Sequence, residues 1–144
     1  MSLKKKKENF IEYDVIVDPN EVDNLFPGYF NLKSDFKEMK ISSDKKMLEK
    51  IALEISMIVN KGTNSNSNIL IYEIEFLYTI NKIKLEKNNT NKGKSGGCRA
   101  ICLLDKNYEL CFLLHIFSKN KKENLNDREK NNLKKCLNEY SKRT

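Results

Sequence analysis

The chain has 144 residues, a formal net charge of +7 and an isoelectric point near 9.1. Its length suits one domain with a hydrophobic core, and it holds no run of eighteen apolar residues, so we expect no membrane span. The first ten residues include four lysines and no apolar stretch, which argues against a secretion signal.

The positive charge is concentrated in the second half of the chain. Residues 1–78 hold 11 basic and 13 acidic side chains, a net charge of −2, whereas residues 79–144 hold 16 basic and 7 acidic ones, a net charge of +9. This asymmetry favours a nucleic acid or an acidic protein as the partner. The alternative is a lysine-rich surface that reflects biased codon usage, since asparagine is also abundant.

The four cysteines show neither a CxxC pair nor a companion histidine cluster, so we predict no metal site and no cofactor. They are Cys98, Cys102, Cys111 and Cys136. Two of them lie within apolar runs, which favours buried free thiols and a reducing cytoplasm.

The sequence of the N-terminal half indicates a mobile end followed by a strand. We expect residues 1–9, with the lysine run 4–7, to form a flexible basic segment, with a nucleic-acid-binding arm as the alternative. Residues 10–144 are expected to form a single domain. Phe10–Val17 alternates as a strand does and ends at Asp18-Pro19.

Two helical segments are expected next. Glu21–Phe26 suits a short helical turn, while Tyr29–Ile41 shows no clean period. Apolar residues then recur at helical spacing, which predicts a helix over residues 44–60 with Ser43 as its N-cap.

The second half predicts strands closed by a helix. Ile69–Leu85 reads as one or two strands, and Arg99–Asp105 and Glu109–Phe117 as an antiparallel pair joined through a short turn at Lys106-Asn107. A helix opens at Asn126, with Glu129 as the acidic partner of its cap. The expected fold is α+β: an antiparallel or mixed sheet, with one or more N-terminal helices and a C-terminal helix packed on one side.

Four segments of the second half stand in a distinctive order. They are INKIK at 80–84, GKSGGCRAI at 93–101, LLHIFSKN at 113–120 and ENLNDREK at 123–130. Over residues 75–140 this order resembles the RelE/ParE superfamily of type II toxin–antitoxin toxins, in particular its RelE/HigB-like members. The resemblance implies the RelE-like microbial RNase fold and a toxin that cuts mRNA on the ribosome without a metal and so stops translation and growth. It also implies an acidic antitoxin as a partner.

The resemblance assigns roles to basic residues. Lys82 and Lys84 would contact phosphate, one of them as the base; the planar fork of Arg99 would hold two phosphate oxygens; and Lys119 would be the acid or an electrostatic stabiliser. We further expect Lys92, Lys94, Lys121 and Lys122 to bind RNA. From the residues alone, the two strand lysines also suit a solvated face, and Arg99 a surface ion pair with Glu73 or Glu75.

His115 is the only histidine of the chain, and without a second one it is interpreted as structural rather than as half of a ribonuclease pair. Phe117 and Tyr140 suit the core better than base stacking, and no tyrosine lies near Leu125, where the best-known ribosome-dependent toxins carry a stacking one. Two other functions stay open: a ParE-like inhibitor of DNA gyrase, and a non-catalytic protein that binds nucleic acid or an antitoxin.

Overall fold

The computed structural model describes residues 11–61, 66–85, 97–120 and 124–143. Within them lie four helices and five strands. The helices are α1 (Pro19–Leu25), α2 (Leu32–Glu38), α3 (Lys45–Val59) and α4 (Asp127–Arg143). The strands are β1 (Asp14–Ile16), β2 (Asn68–Ile74), β3 (Tyr78–Leu85), β4 (Cys98–Asp105) and β5 (Leu110–Ser118).

All five strands join one open sheet in the order β1-β5-β4-β3-β2. The pairs β2–β3, β3–β4 and β4–β5 are antiparallel, whereas β1 lies parallel to β5 with Val15 opposite Cys111. The predicted α+β fold with a mixed sheet is therefore confirmed, and the extended stretch after residue 68 forms two strands.

Both long helices begin close to their predicted starts, and α3 ends at Val59, one residue before its predicted end. The N-cap of α3 is Asp44, whose carboxylate accepts from the Met47 amide at 2.8 Å, and the assignment of Ser43 is wrong by one residue. At α4, the Asn126 side chain accepts from the Glu129 amide at 2.8 Å, and the Glu129 carboxylate accepts from the Asn126 amide at 2.9 Å. This reciprocal capping box confirms the predicted start.

The stretch without a clean period contains α2. Asn31 caps this seven-residue helix by accepting from the Ser34 amide at 2.9 Å. The Asp23 carboxylate of α1 also accepts from the amides of Leu32 and Lys33, at 2.8 and 3.1 Å. Because four amides at a helix start lack partners within the helix, these bonds stabilise α2 although its sequence signal is weak.

Helices cover both faces of the sheet, since every residue of β4 is buried and its side chains alternate between the faces. Tyr140 of α4 and Phe26 of α1 contact Phe112 of β5 on one face, with ring centroids 5.1 to 5.9 Å apart. α3 packs against β1 and β3 on the other face. The expectation of helices on one side is therefore wrong, because α3 needs its own sheet face to bury its apolar stripe.

The β4–β5 turn spans four residues, 106–109, rather than the two predicted. The buried Asp105 carboxylate accepts from the amides of Asn107 and Tyr108 at 2.8 and 3.1 Å, and Glu109 adopts a positive φ of 57°. An Asx turn of this kind suits aspartate, which supplies the acceptors that the turn amides need.

Candidate nucleic-acid interface

The register of the sheet places the basic side chains that were predicted to bind phosphate on one face of β3 and β4. Lys84 of β3 lies directly opposite Arg99 of β4, and Lys82 lies opposite Ile101. Residues two apart on a strand share a face, and opposite residues in an antiparallel pair have Cβ atoms roughly 5 Å apart. Lys82, Lys84 and Arg99 therefore belong to one cluster at the start of β4.

Lys119 reaches the same end of the sheet from β5. It follows the last residue of that strand, and its backbone amide contacts the Gly97 carbonyl at 3.5 Å, immediately before β4. Its side chain is exposed. We call Lys82, Lys84, Arg99 and Lys119 the basic cluster.

Exposure differs among the members of this cluster. Lys82 and Lys84 are half-buried, whereas Arg99 is only 7% exposed. A positive charge in such an enclosed position acts on nearby anions through less water than a surface charge does, so its attraction is stronger.

The alternative ion pair of Arg99 with a β2 carboxylate is wrong. Glu73 pairs with Thr79, five residues along β3 from Lys84, the partner of Arg99. At about 3.4 Å per residue, this separation is roughly 17 Å. Glu75 lies in the turn between β2 and β3, which is farther still.

His115 lies on the same face as the basic cluster, opposite Ile101 in β4. It is 9% exposed, with Nδ1 2.7 Å from the Asp35 carboxylate of α2. Its Nε2 lies 3.4 Å from the Glu129 carboxylate of α4, a contact that lacks hydrogen-bond geometry. The partners of this histidine are thus two carboxylates, one of which comes from the stretch without a sequence signal.

The two aromatic residues expected in the core are buried there. Phe117, 6% exposed, lies opposite Arg99 and packs on His115 with ring centroids 5.2 Å apart. Tyr140, 7% exposed, donates to the buried Asp105 carboxylate at 2.5 Å. Leu125 is also buried, and neither aromatic ring is available for stacking on a base.

The segment before α4 borders the cluster. The Asn124 side-chain oxygen lies 3.5 Å from Lys82 Nζ, a contact that the sequence did not indicate. The predicted RNA-binding residues Lys92, Lys94, Lys121 and Lys122 lie outside the described residues, as does the N-terminal lysine run.

All four cysteines are buried, as predicted. Burial raises the pKa of the Cys98 and Cys136 thiols from 9.0 to about 12, so neither is a nucleophile at neutral pH. Among the described residues, no three His, Cys, Asp or Glu side chains are grouped to hold a metal ion. No helix within the described ranges is long and apolar enough to cross a membrane.

Comparison with known proteins supports the resemblance seen in the second half. A family model described as the RelE toxin of the RelE/RelB toxin–antitoxin system matches residues 79–144, which include every member of the basic cluster. No curated protein and no solved structure matches the chain. The matched family implies an antitoxin as a partner. The family model matches residues 79–144 and the α+β fold is consistent with a RelE-like fold, so the second half of the chain is similar to a RelE toxin of a toxin–antitoxin system.

Proposed function

We propose that the chain is a ribosome-dependent, metal-independent endoribonuclease that cuts mRNA in the cytoplasm and so inhibits translation and growth. The observation that carries this proposal is the basic cluster, in which Lys84 lies directly opposite Arg99, and Lys82 and Lys119 lie at the same end of the sheet. Four cations gathered there suit an oligoanion such as RNA.

The proposed reaction is attack of a ribose 2′-oxygen on the neighbouring phosphorus. One P–O bond forms as the bond to the departing 5′-oxygen breaks, which gives a 2′,3′-cyclic phosphate and a 5′-hydroxyl. The nucleophile is already tethered beside its target, so the protein needs to supply a base, an acid and positive charge at the phosphorane.

The positions within the cluster support different roles. Lys82 and Lys84 reach solvent from one strand and are the candidates for phosphate contact, one of them also as the base. Arg99 lies beside them on β4 and is buried, and its charge would stabilise the phosphorane. Lys119 is exposed on the far side of β4 from the two β3 lysines and is the candidate for the acid or for a second stabilising charge.

The antitoxin would cover this site with an acidic segment. The cluster sits in a half of the chain with a net charge of +9, while the half before it carries −2. Charge complementarity of this kind speeds association and fixes orientation.

The test is to induce the wild-type chain in bacteria and map mRNA 5′ ends over the following minutes, beside Lys84→Gln and Lys106→Gln. Lys106 is a matched control because it is also half-buried but lies in the turn at the other end of β4, about 24 Å from Arg99 along the strand. We expect growth arrest and in-frame cuts from the wild type and from the control, and neither from Lys84→Gln.

Other outcomes point to other functions. Arrest with intact mRNA and impaired DNA supercoiling would identify a gyrase inhibitor instead. An absence of arrest from all three chains, with salt-sensitive RNA binding by the purified protein, would identify a binding role. Circular dichroism of each variant excludes unfolding as the cause of lost activity, and Arg99→Lys serves as a second, charge-conserving variant.

A further inference from the structure

His115 joins three elements that are far apart in the sequence. Its ring lies on β5, its Nδ1 contacts Asp35 of α2 at 2.7 Å, and its Nε2 lies 3.4 Å from Glu129 of α4. The Nδ1 contact has hydrogen-bond length, whereas the Nε2 contact is a close approach between buried polar groups without hydrogen-bond geometry. This arrangement serves no step of the reaction proposed above.

Neighbouring groups hold the ring in one orientation. Phe30 stacks on one side of the imidazole at 4.8 Å, and Phe117 packs at 5.2 Å in a tilted contact. The Asp35 oxygen that contacts Nδ1 also accepts from the Ile116 amide at 3.1 Å, so this carboxylate is itself tied to β5. The imidazole therefore presents Nε2 toward α4 from a fixed position.

Glu129 connects the fixed imidazole of His115 with the segment that borders the basic cluster. One of its oxygens faces His115, while the other accepts from the Asn126 amide at 2.9 Å and so caps α4. Two residues earlier, the Asn124 side chain lies 3.5 Å from Lys82 Nζ. A path of three contacts thus connects the histidine with a lysine of the site.

We propose that His115 is a positioning residue for the basic cluster. It fixes the first turn of α4 against β5 through Glu129, and so holds the segment from Asn124 to Asn126 beside Lys82. The catalytic consequence rests on the proposed ribonuclease function, whereas the structural consequence does not.

The variant that isolates this link is Glu129→Gln. The amide oxygen of glutamine still caps the Asn126 amide, but the negative charge that faces Nε2 is lost. Glu139→Gln is the matched control, since it removes a carboxylate from the same helix whose partner is Tyr29 instead. His115→Phe retains an aromatic ring between Phe30 and Phe117 and removes both nitrogens.

Two measurements are made on the full chain. Amide hydrogen exchange over residues 124–130 measures how firmly the first turn of α4 is fixed. Steady-state cleavage of a ribosome-bound mRNA measures the activity of the basic cluster. We expect faster exchange in Glu129→Gln and His115→Phe, with kcat reduced about tenfold or more and KM changed less than about twofold, because small displacements of catalytic groups act on the transition state. The double variant adds no further loss, and Glu139→Gln behaves as wild type.

Unchanged exchange in Glu129→Gln would overturn the proposal, and so would a rise in KM at constant kcat, which would make Glu129 a substrate-binding residue. If the wild type cuts no RNA, the proposed function fails. Amide hydrogen exchange alone then tests whether His115 fixes the first turn of α4. In that case, faster exchange in both Glu129→Gln and His115→Phe supports the role of His115 in fixing α4. Exchange equal to that of Glu139→Gln overturns this role.

Discussion

The basic cluster predicts how RNA affinity depends on salt. Lys82, Lys84 and Lys119 are the members accessible to a phosphate, because Arg99 is only 7% exposed. Each phosphate neutralised on a single strand contributes about −0.7 to the slope of log K against log salt concentration, so three contacts give a slope of about −2. Affinity should then fall roughly twentyfold between 50 and 200 mM salt.

One substitution tests this count. Lys84→Gln removes one contact and should reduce the magnitude of the slope by about 0.7, whereas Lys106→Gln, at the other end of β4, should leave it unchanged. The difference between the two slopes is independent of further cations that touch the RNA, since these contribute equally to all three proteins.

The assay is fluorescence anisotropy of a labelled RNA with 2′-O-methyl riboses, which binds but lacks the attacking hydroxyl. It is run at five or more salt concentrations for the wild type and both variants. A slope in Lys84→Gln equal to the wild-type slope would refute the assignment of this lysine to a phosphate. An equal reduction in Lys106→Gln would show that the slope reports the net charge of the protein rather than a located site.

Two further predictions concern stability. Tyr140→Phe removes a buried hydrogen bond to the Asp105 carboxylate and should lower the free energy of unfolding, measured by urea titration, by about 1.5 to 3 kcal/mol. Tyr108 is an exposed tyrosine, so the control Tyr108→Phe should change the free energy of unfolding by less than about 0.5 kcal/mol. Because burial raises the pKa of the Cys98 and Cys136 thiols from 9.0 to about 12, unfolding releases their protons above pH 9. The contribution of the two thiols to stability is therefore complete below pH 9 and is lost as the pH rises toward 12. In urea titrations across this range, we expect the unfolding midpoint to fall with rising pH, and to fall less steeply in Cys98→Ala than in the wild type.

Local patterns predicted the long elements of this fold but not the short ones. Apolar residues recur at helical spacing from Met47 to Ile58 in α3 and from Leu133 to Tyr140 in α4, which is about three and two turns, and this is enough to define the period. α2 has seven residues, and only Leu32 and Phe36 among them are buried. Two apolar positions do not define a period, and the stabilising bonds from Asp23 come from outside the helix.

Strand pairing was predictable where the strands are joined by a turn. The β4–β5 pair follows from its short connection, but nothing in Asp14–Ile16 indicates that this strand lies parallel to β5, about a hundred residues away. Pairing of distant strands depends on the packing of the whole sheet rather than on the sequence of either strand. The expectation of helices on one side failed for a similar reason, since a helical period predicts a buried stripe without naming the sheet face that buries it.

Alternation along β3 was sufficient to place Lys82 and Lys84 on one face, and the structure adds which residue lies across from each. The position of Arg99 opposite Lys84 depends on the β3–β4 register, which the intervening loop does not determine from its sequence. Asp35 could not be found at all, because it is 80 residues from its partner His115.

Asp35 also shows that the site does not end where the family match begins. The match covers residues 79–144, yet the histidine within it is held by a carboxylate from α2 and by the ring of Phe30. β5 is likewise covered in part by α1 and α2, and β3 by α3, so residues 79–144 alone would expose apolar surface that the described structure buries. The N-terminal half, although acidic in net charge and weak in sequence signal, is therefore part of what holds the basic cluster in place.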